Sequence, residues 1–274
     1  MTDSRASLAA SLDAEEEILP FIPLLLQDLW ALGFSPDSAL ALLSRNVPAT
    51  PRRVLDLGCG KGALVVHIAQ QFGWTCRGID IVPEFIAEAN RIARIRHLTH
   101  LLQFEVKDMA DEVEMGGQYD LIVFGFDSEA LGPLAAALSR IRKRLTTPGY
   151  VLLDTIWAKP GRNQGDIATE TETLSAARAA GLRLVDREIL DRHLVEAQNA
   201  SNTEHIRRRA SELAETFPAH ASAFHAYVRR QEDESRMLSE DVHCACLLFS
   251  TCPPAPHLLN TPHSLLTLPH APHS

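Results

Sequence analysis

The sequence predicts an α/β fold: a doubly wound, mostly parallel seven-stranded sheet. A helical arm precedes the sheet, and a helical insertion stands before its last strand. Three observations carry this. Short apolar runs alternate with helical patterns from residue 53 to residue 189, as parallel strands joined by helices require. The first run, Val54-Leu55-Asp56-Leu57, ends beside an acid and is followed by Gly58, Gly60 and Gly62, then at once by a helical pattern from Ala63. About fifty residues of helical apolar spacing then separate the sixth and seventh strands.

In chain order, residues 1–14 are polar and are expected to fray. Glu15 to Leu43 has helical spacing broken at Gly33–Asp37, where Ser35 can cap a second helix with Pro36 at its first position. Strands are expected at 53–57, 75–80, 101–106, 120–126, 149–156, 182–189 and 242–249. Pro83 and Glu84 open the helix after the second strand. Leu131, Leu134, Leu138, Ile141 and Leu145 form one stripe on the helix before the fifth. Glu170 to Ala180 reads as the next helix. In the insertion, about 200–239, Thr203 to Phe217 places Ile206, Ala210, Leu213, Ala214 and Phe217 on one face, and Phe224, Tyr227 and Val228 continue in a second helix. This hairpin is expected either to pack on the sheet edge or to wall a ligand pocket. The organisation is an arm over 1–50, a main domain over 51–251, and a Pro/His-rich disordered tail over 252–274.

Composition narrows the partners. A chain of 274 residues, 46% apolar, suits one domain with additions. A net charge of −9 disfavours a nucleic-acid partner. Arg207–Arg209 and Arg229-Arg230 are interleaved with acids and read as solvated helix faces. The apolar stretch Ile18–Phe34 contains Pro20, Pro23, Gln27 and Asp28, so no membrane partner is expected, and a cytoplasmic location is. Five cysteines without scaffold spacing read as reduced thiols.

The glycine run carries the chemistry. Glycine permits a tight turn and close approach of a ligand, and the helix start supplies free N–H groups and a favourable dipole. The spacing Asp-x-Gly-x-Gly-x-Gly differs from the dinucleotide fingerprint. It resembles motif I of the class I S-adenosylmethionine (SAM) methyltransferases. Further segments resemble that family in order. Gly78-Ile79-Asp80-Ile81 ends a second strand in an acid. Phe104-Glu105-Val106-Lys107-Asp108-Met109 is similar to the third motif, and Tyr119 to Phe126 to the fourth strand. Leu145 to Leu153 is similar to the turn into strand five, departing from it at Thr146, Thr147 and Tyr150.

The resemblance covers about 100 residues and implies a Rossmann-like fold with S-adenosyl-L-methionine as cofactor. It implies that Asp56 and the backbone of Gly58, Cys59 and Gly60 hold the methionine part, and that Asp80 holds the ribose diol. Ile81 and Met109 would sandwich the adenine, Asp108 would receive its amino group, and Gly125 would line the cofactor site. The arm would form part of a lid. The implied activity is methyl transfer to a small-molecule acceptor.

Beyond the cofactor, Asp127 is the catalytic candidate, able to orient or deprotonate an acceptor; it is equally placed to cap the following helix. Trp157 would line the acceptor pocket or sit in the core. His67, His97 and His100 lie away from the strand tips, and His220 and His225 lie in the insertion. No His/Asp/Glu cluster has metal-ligand spacing, so no metal is expected, although Asp127 and Asp154 at strand ends keep a metal-dependent O-methyltransferase open. Two alternatives stand beside the leading reading: a non-catalytic SAM-binding partner subunit, and a nicotinamide-dependent oxidoreductase.

Overall fold

The computed structural model describes residues 2–33, 35–50, 52–161 and 167–252. Seven strands form one sheet: β1 (Arg53–Leu57), β2 (Thr75–Asp80), β3 (Leu102–Val106), β4 (Tyr119–Gly125), β5 (Leu145–Ala158), β6 (Arg183–Ile189) and β7 (Val242–Ser250). Their order is β3-β2-β1-β4-β5-β7-β6, parallel except for β7, which runs antiparallel to β5 and β6. From β1 the chain goes to β2 on one side and returns to β4 on the other. The crevice at the strand ends between these halves is where open α/β sheets bind ligands.

The helices are α1 (Thr2–Ser11), α2 (Ile22–Leu25), α3 (Pro36–Asn46), α4 (Ala63–Phe72), α5 (Pro83–Ile95), α6 (Met109–Met115), α7 (Ser128–Leu131), α8 (Leu134–Arg142), α9 (Glu170–Ala179), α10 (Arg192–Thr216) and α11 (Ala221–Glu240). Alternation along each strand divides the core. Val54, Leu121, Val123, Leu152 and Leu248 face Leu42, Val65, Ile68 and Ala89 of α3, α4 and α5. Leu55, Ile122, Phe124, Leu153 and Leu247 face Leu138, Ile141 and Ala177 of α8 and α9.

Several elements differ from expectation. Residues 2–11 form α1, which packs on α7, with Ser7 Oγ donating to Glu129 O at 2.9 Å. The expected single helix before strand five is two, because Gly132, at φ +78°, and Pro133 interrupt it; Leu145 belongs to β5, opposite Tyr119. The insertion begins at Arg192, where Asp191 accepts from the N–H groups of His193 and Leu194 at 2.8 and 3.2 Å. Trp157 is core.

The α10–α11 hairpin packs its apolar face, Ile206, Ala210, Phe224, Tyr227 and Val228, against the arm residues Ile18, Ile22, Leu25 and Leu29. Its arginines are not merely solvated. Arg208 and Arg209 both pair with Asp28 at 2.7 Å, and Arg230 reaches Glu15 at 3.2 Å. Among the described residues no helix is long and apolar enough to cross a membrane. The predicted tail lies outside the described residues, apart from Cys252.

Candidate functional site

A cavity of about 320 Å³ opens where the chain leaves β1, β2, β4 and β5. All ten sequence-predicted residues line it: Asp56, Gly58, Cys59, Gly60, Asp80, Ile81, Asp108, Met109, Gly125 and Asp127. The same cavity is lined by residues that sequence reasoning did not assign to it. These include Leu8 of α1 and Leu12 just after it, Trp30 and Leu32 of the arm, and Asp154 within the fifth strand.

The glycine loop is built for close approach. Gly58 and Gly60 have φ of +71° and +52°, and a Cβ on either would come within 3.1 Å of Met109 Cε or 3.2 Å of Leu32 Cδ1. A side chain there would fill the cradle. Gly62 serves another purpose. It caps α4 at φ +74°, and a Cβ would lie 2.6 Å from the Phe104 ring, so packing excludes one.

Asp80 braces the loop. Its Oδ2 accepts from Gly60 N–H at 2.8 Å and its Oδ1 from Val82 N–H at 2.9 Å. Each carboxylate oxygen keeps a lone pair for a ligand hydroxyl. Burial raises the Asp80 pKa from its ordinary value, opposed by these backbone donors. The Cys59 N–H donates to Ile79 O at 2.8 Å, so this loop N–H is committed to β2 rather than left for a ligand.

Asp56 is buried, and among the described residues no hydrogen-bond donor reaches its carboxylate. Burial, and then the nearby Asp80, push its pKa up to about 7. A buried carboxylate without an internal partner suits a cationic ligand group. The donor set and the glycine cradle therefore fit SAM, which carries an ammonium, a sulfonium and a ribose diol.

Asp108 and Asp127 both act as helix caps. Asp108 Oδ1 accepts from Ala110 N–H at 2.7 Å, and Asp127 Oδ1 accepts from Glu129 and Ala130 N–H at 2.8 and 3.1 Å. Lys61, inside the glycine loop, is buried and turns away from the cavity. Its Nζ donates to Leu26 O at 2.5 Å and Leu29 O at 2.6 Å, fastening the arm to the loop. His67 and Trp30 lie with ring centroids 4.9 Å apart. No residue of the α10–α11 hairpin lines the cavity; the hairpin supports the arm that does. Among the described residues no group of three or more His, Cys, Asp or Glu is arranged to hold a metal.

Residues 33–217, more than half of the chain, match the family described as "Methyltransferase domain". Norajmaline N-methyltransferase of Rauvolfia serpentina is 37% identical over 73 residues, covering 27% of this chain and 25% of that protein. The chloroplastic tocopherol O-methyltransferase of Arabidopsis thaliana is 29% identical over 119 residues, covering 43% and 34%. Aklanonic acid methyltransferase DauC of Streptomyces sp. (strain C5) is 33% identical over 126 residues, covering 45% and 57%. The matched region thus spans a quarter to just over half of these relatives. Among solved structures, a SAM-dependent methyltransferase from Thiobacillus denitrificans in complex with S-adenosyl-L-homocysteine aligns with a TM-score of 0.71 at 20% identity, covering 84% of this chain and 97% of that one. The [4+2]-cyclase SpnF aligns with a TM-score of 0.69 at 19% identity, covering 88% and 95%. These structures share the fold. With the family match and the motif order, the chain belongs to the methyltransferase domain family, as a class I SAM-dependent member.

Proposed function

We propose that this chain transfers a methyl group from SAM to a small-molecule acceptor. The observation that carries this is the buried Asp56 carboxylate, without an internal donor, facing the cavity beside the Gly58–Gly60 cradle and Asp80. When bound, SAM supplies a methyl group already activated by its sulfonium.

The chain's own residues do the rest. Asp56 pairs with the cationic methionine portion, with Gly58 and Gly60 allowing close approach and Cys59 lining the same turn. Asp80 accepts from the ribose hydroxyls while holding the loop through Gly60. Ile81 and Met109 flank the adenine, and Asp108 receives its amino group with the oxygen not engaged in capping. Gly125 keeps the floor beside the methyl group open. Asp127 faces the acceptor side, where Oδ2 carries no hydrogen bond among the described residues. The arm, residues 1–50, covers the cavity through α1 and Trp30–Gly33, excluding water and aligning the acceptor. Such alignment contributes on the order of 7–11 kcal/mol to a bimolecular transfer. The hairpin acts as the arm's buttress. A cavity of about 320 Å³, mostly apolar where the arm covers it, suits a small acceptor. Five free thiols support a reducing, cytoplasmic setting.

The relatives' names include N- and O-methyltransferases and so do not choose the acceptor atom. The similarity to a structure named a cyclase is the specific reason to keep a second reading, a SAM-binding domain that does not transfer methyl. Calorimetry with SAM and NAD(H), followed by labelled SAM with a metabolite extract, separates the readings. NAD binding without SAM binding would sink methyl transfer. SAM binding with no labelled product across the extract would favour the second reading.

A further inference from the structure

The cavity has two halves. Over β1, β2 and the exit of β3 lie the groups that fit SAM: Asp56, Asp80, Asp108 and Met109. Over β4 and β5 lie Gly125, Asp127, Glu129 and Asp154, with α1 above them. Sheet register places Asp154 directly opposite Gly125, while Asp56 pairs with Val123, two residues earlier on the same strand. Side chains alternate along a strand, so Asp56, Gly125 and Asp154 point to one face. Asp154 therefore stands two strands across from Asp56, roughly 10 Å by ordinary sheet spacing, and about two residues further up. Between them Gly125 contributes no side chain. The two carboxylates flank a bare floor with room for a methyl group and an incoming nucleophile.

Charge on this half is one-sided. Asp127, Glu129 and Asp154 line it. The cation among the described lining residues, Lys107, belongs to the other half, beside Asp108, and pairs with Glu112 at 2.8 Å. An acceptor bearing a carboxylate or phosphate would meet like charge without a counter-ion. The remaining wall is mostly apolar, with Leu8, Leu12, Trp30 and Leu32 beside the hydroxyls of Ser7 and Ser11.

We propose that the acceptor is an amine on an apolar body, and that Asp154 is the catalytic carboxylate that receives the proton from its nitrogen. This rests on reading the cavity as a SAM-dependent methyl-transfer site. The nitrogen lone pair forms the N–C bond, the electrons of the C–S bond return to sulfur, and the N–H proton passes to Asp154, which releases it to solvent. Asp154 is suited to that exchange. Burial pushes its pKa up to about 7, with the Thr155 backbone N–H opposing the rise. Asp127 is the weaker base candidate because its Oδ1 is spent on the α7 cap.

The test uses the full chain saturated with S-adenosyl-L-homocysteine and three probes sharing one apolar body: tryptamine, its alcohol tryptophol, and indole-3-acetate. Calorimetry is expected to show tryptamine binding at least about tenfold tighter than tryptophol, with indole-3-acetate weakest. Asp154→Asn is expected to erase the amine preference and Asp154→Glu to restore part of it. Homocysteine-nucleoside affinity should stay within about twofold, which reports an intact fold. Labelled SAM should transfer methyl to the amine alone. Tryptamine binding no tighter than tryptophol, a preference that survives Asp154→Asn, or methyl transfer to the alcohol or acid overturns the proposal. Failure to bind SAM at all would instead defeat the methyltransferase reading beneath it.

Discussion

The Gly60 N–H donates to Asp80 Oδ2 at 2.8 Å, joining the glycine loop to the tip of β2 through a side chain. The carboxylate proposed to meet the ribose thus also holds the loop in shape. Asp80→Ala removes the brace and, on that proposal, the ligand contact. Charge-assisted hydrogen bonds contribute about 1.5–3 kcal/mol each. SAM affinity measured by calorimetry is expected to fall at least about tenfold, with Asp80→Glu retaining more binding than the alanine.

With Asp56 in its proposed role, cofactor binding is expected to depend on pH. Its pKa stands at about 7 in the free protein, raised first by burial and then by Asp80. A cationic ligand group binds the ionised form, so affinity should rise with pH and level off above about 7. Below that point the loss approaches about tenfold per pH unit. Asp56→Asn should bind weakly and without this slope. A wild-type affinity that is flat from pH 5.5 to 8, roughly the window around that pKa, would count against the assignment.

The same carboxyl groups set a stability trend. Asp56 and Asp154 both have folded pKa values of about 7 against an ordinary value of 3.8. A raised carboxyl pKa means that the folded state binds more protons between those limits. The stability contribution is fully present below the ordinary value and is lost as pH rises through about 7. Asp154→Asn should therefore raise the ligand-free Tm at pH 8 more than at pH 5, read by differential scanning calorimetry at those roughly chosen end points.

Lys61 fastens the arm. Lys61→Met keeps much of the side-chain volume but takes the ammonium donor from the Leu26 and Leu29 carbonyls, of which Leu26 O keeps the Leu29 N–H at 3.0 Å. Leaving a buried polar group unpaired costs about 1–3 kcal/mol. Limited proteolysis should cut first between Leu26 and Gly33 in this variant, and Tm should fall. Cleavage unchanged from wild type would show that the arm is held by the hairpin alone.

Gly62→Ala separates folding from binding. The left-handed backbone and the contact with the Phe104 ring both oppose a methyl group. The expected destabilisation is about 2 kcal/mol or more. Denaturant unfolding should show the loss, while the variant that remains folded binds SAM with affinity near wild type.

Much of the site is legible in one dimension because its groups follow strand ends. Asp56, Asp80, Asp108 and Asp127 each stand where an apolar run stops, and the glycines mark the loop by their backbone freedom. Asp154 shows why legibility ends. The sequence places it near the end of a strand expected at 149–156 and suggests only a metal role; the strand in fact runs Leu145–Ala158, so Asp154 sits inside it. Only pairing with Gly125 sets its height. Arg208 and Arg209 make the same point. In sequence they resemble a solvated charge run, yet both meet Asp28, about 180 residues earlier.

By itself the sequence determined the alternation of strands and helices, the glycine loop at the end of β1 and the family to which the chain belongs. Those are local matters, decided by spacing, glycine and the polarity of strand tips. The tertiary structure decided what surrounds the β4–β5 half of the cavity. It brought α1 over the cavity, set Asp154 across from Asp56, and made the hairpin a support for the arm rather than a wall of the pocket. Such contacts join residues far apart in the chain, and their position depends on sheet register and burial rather than on any neighbouring residue.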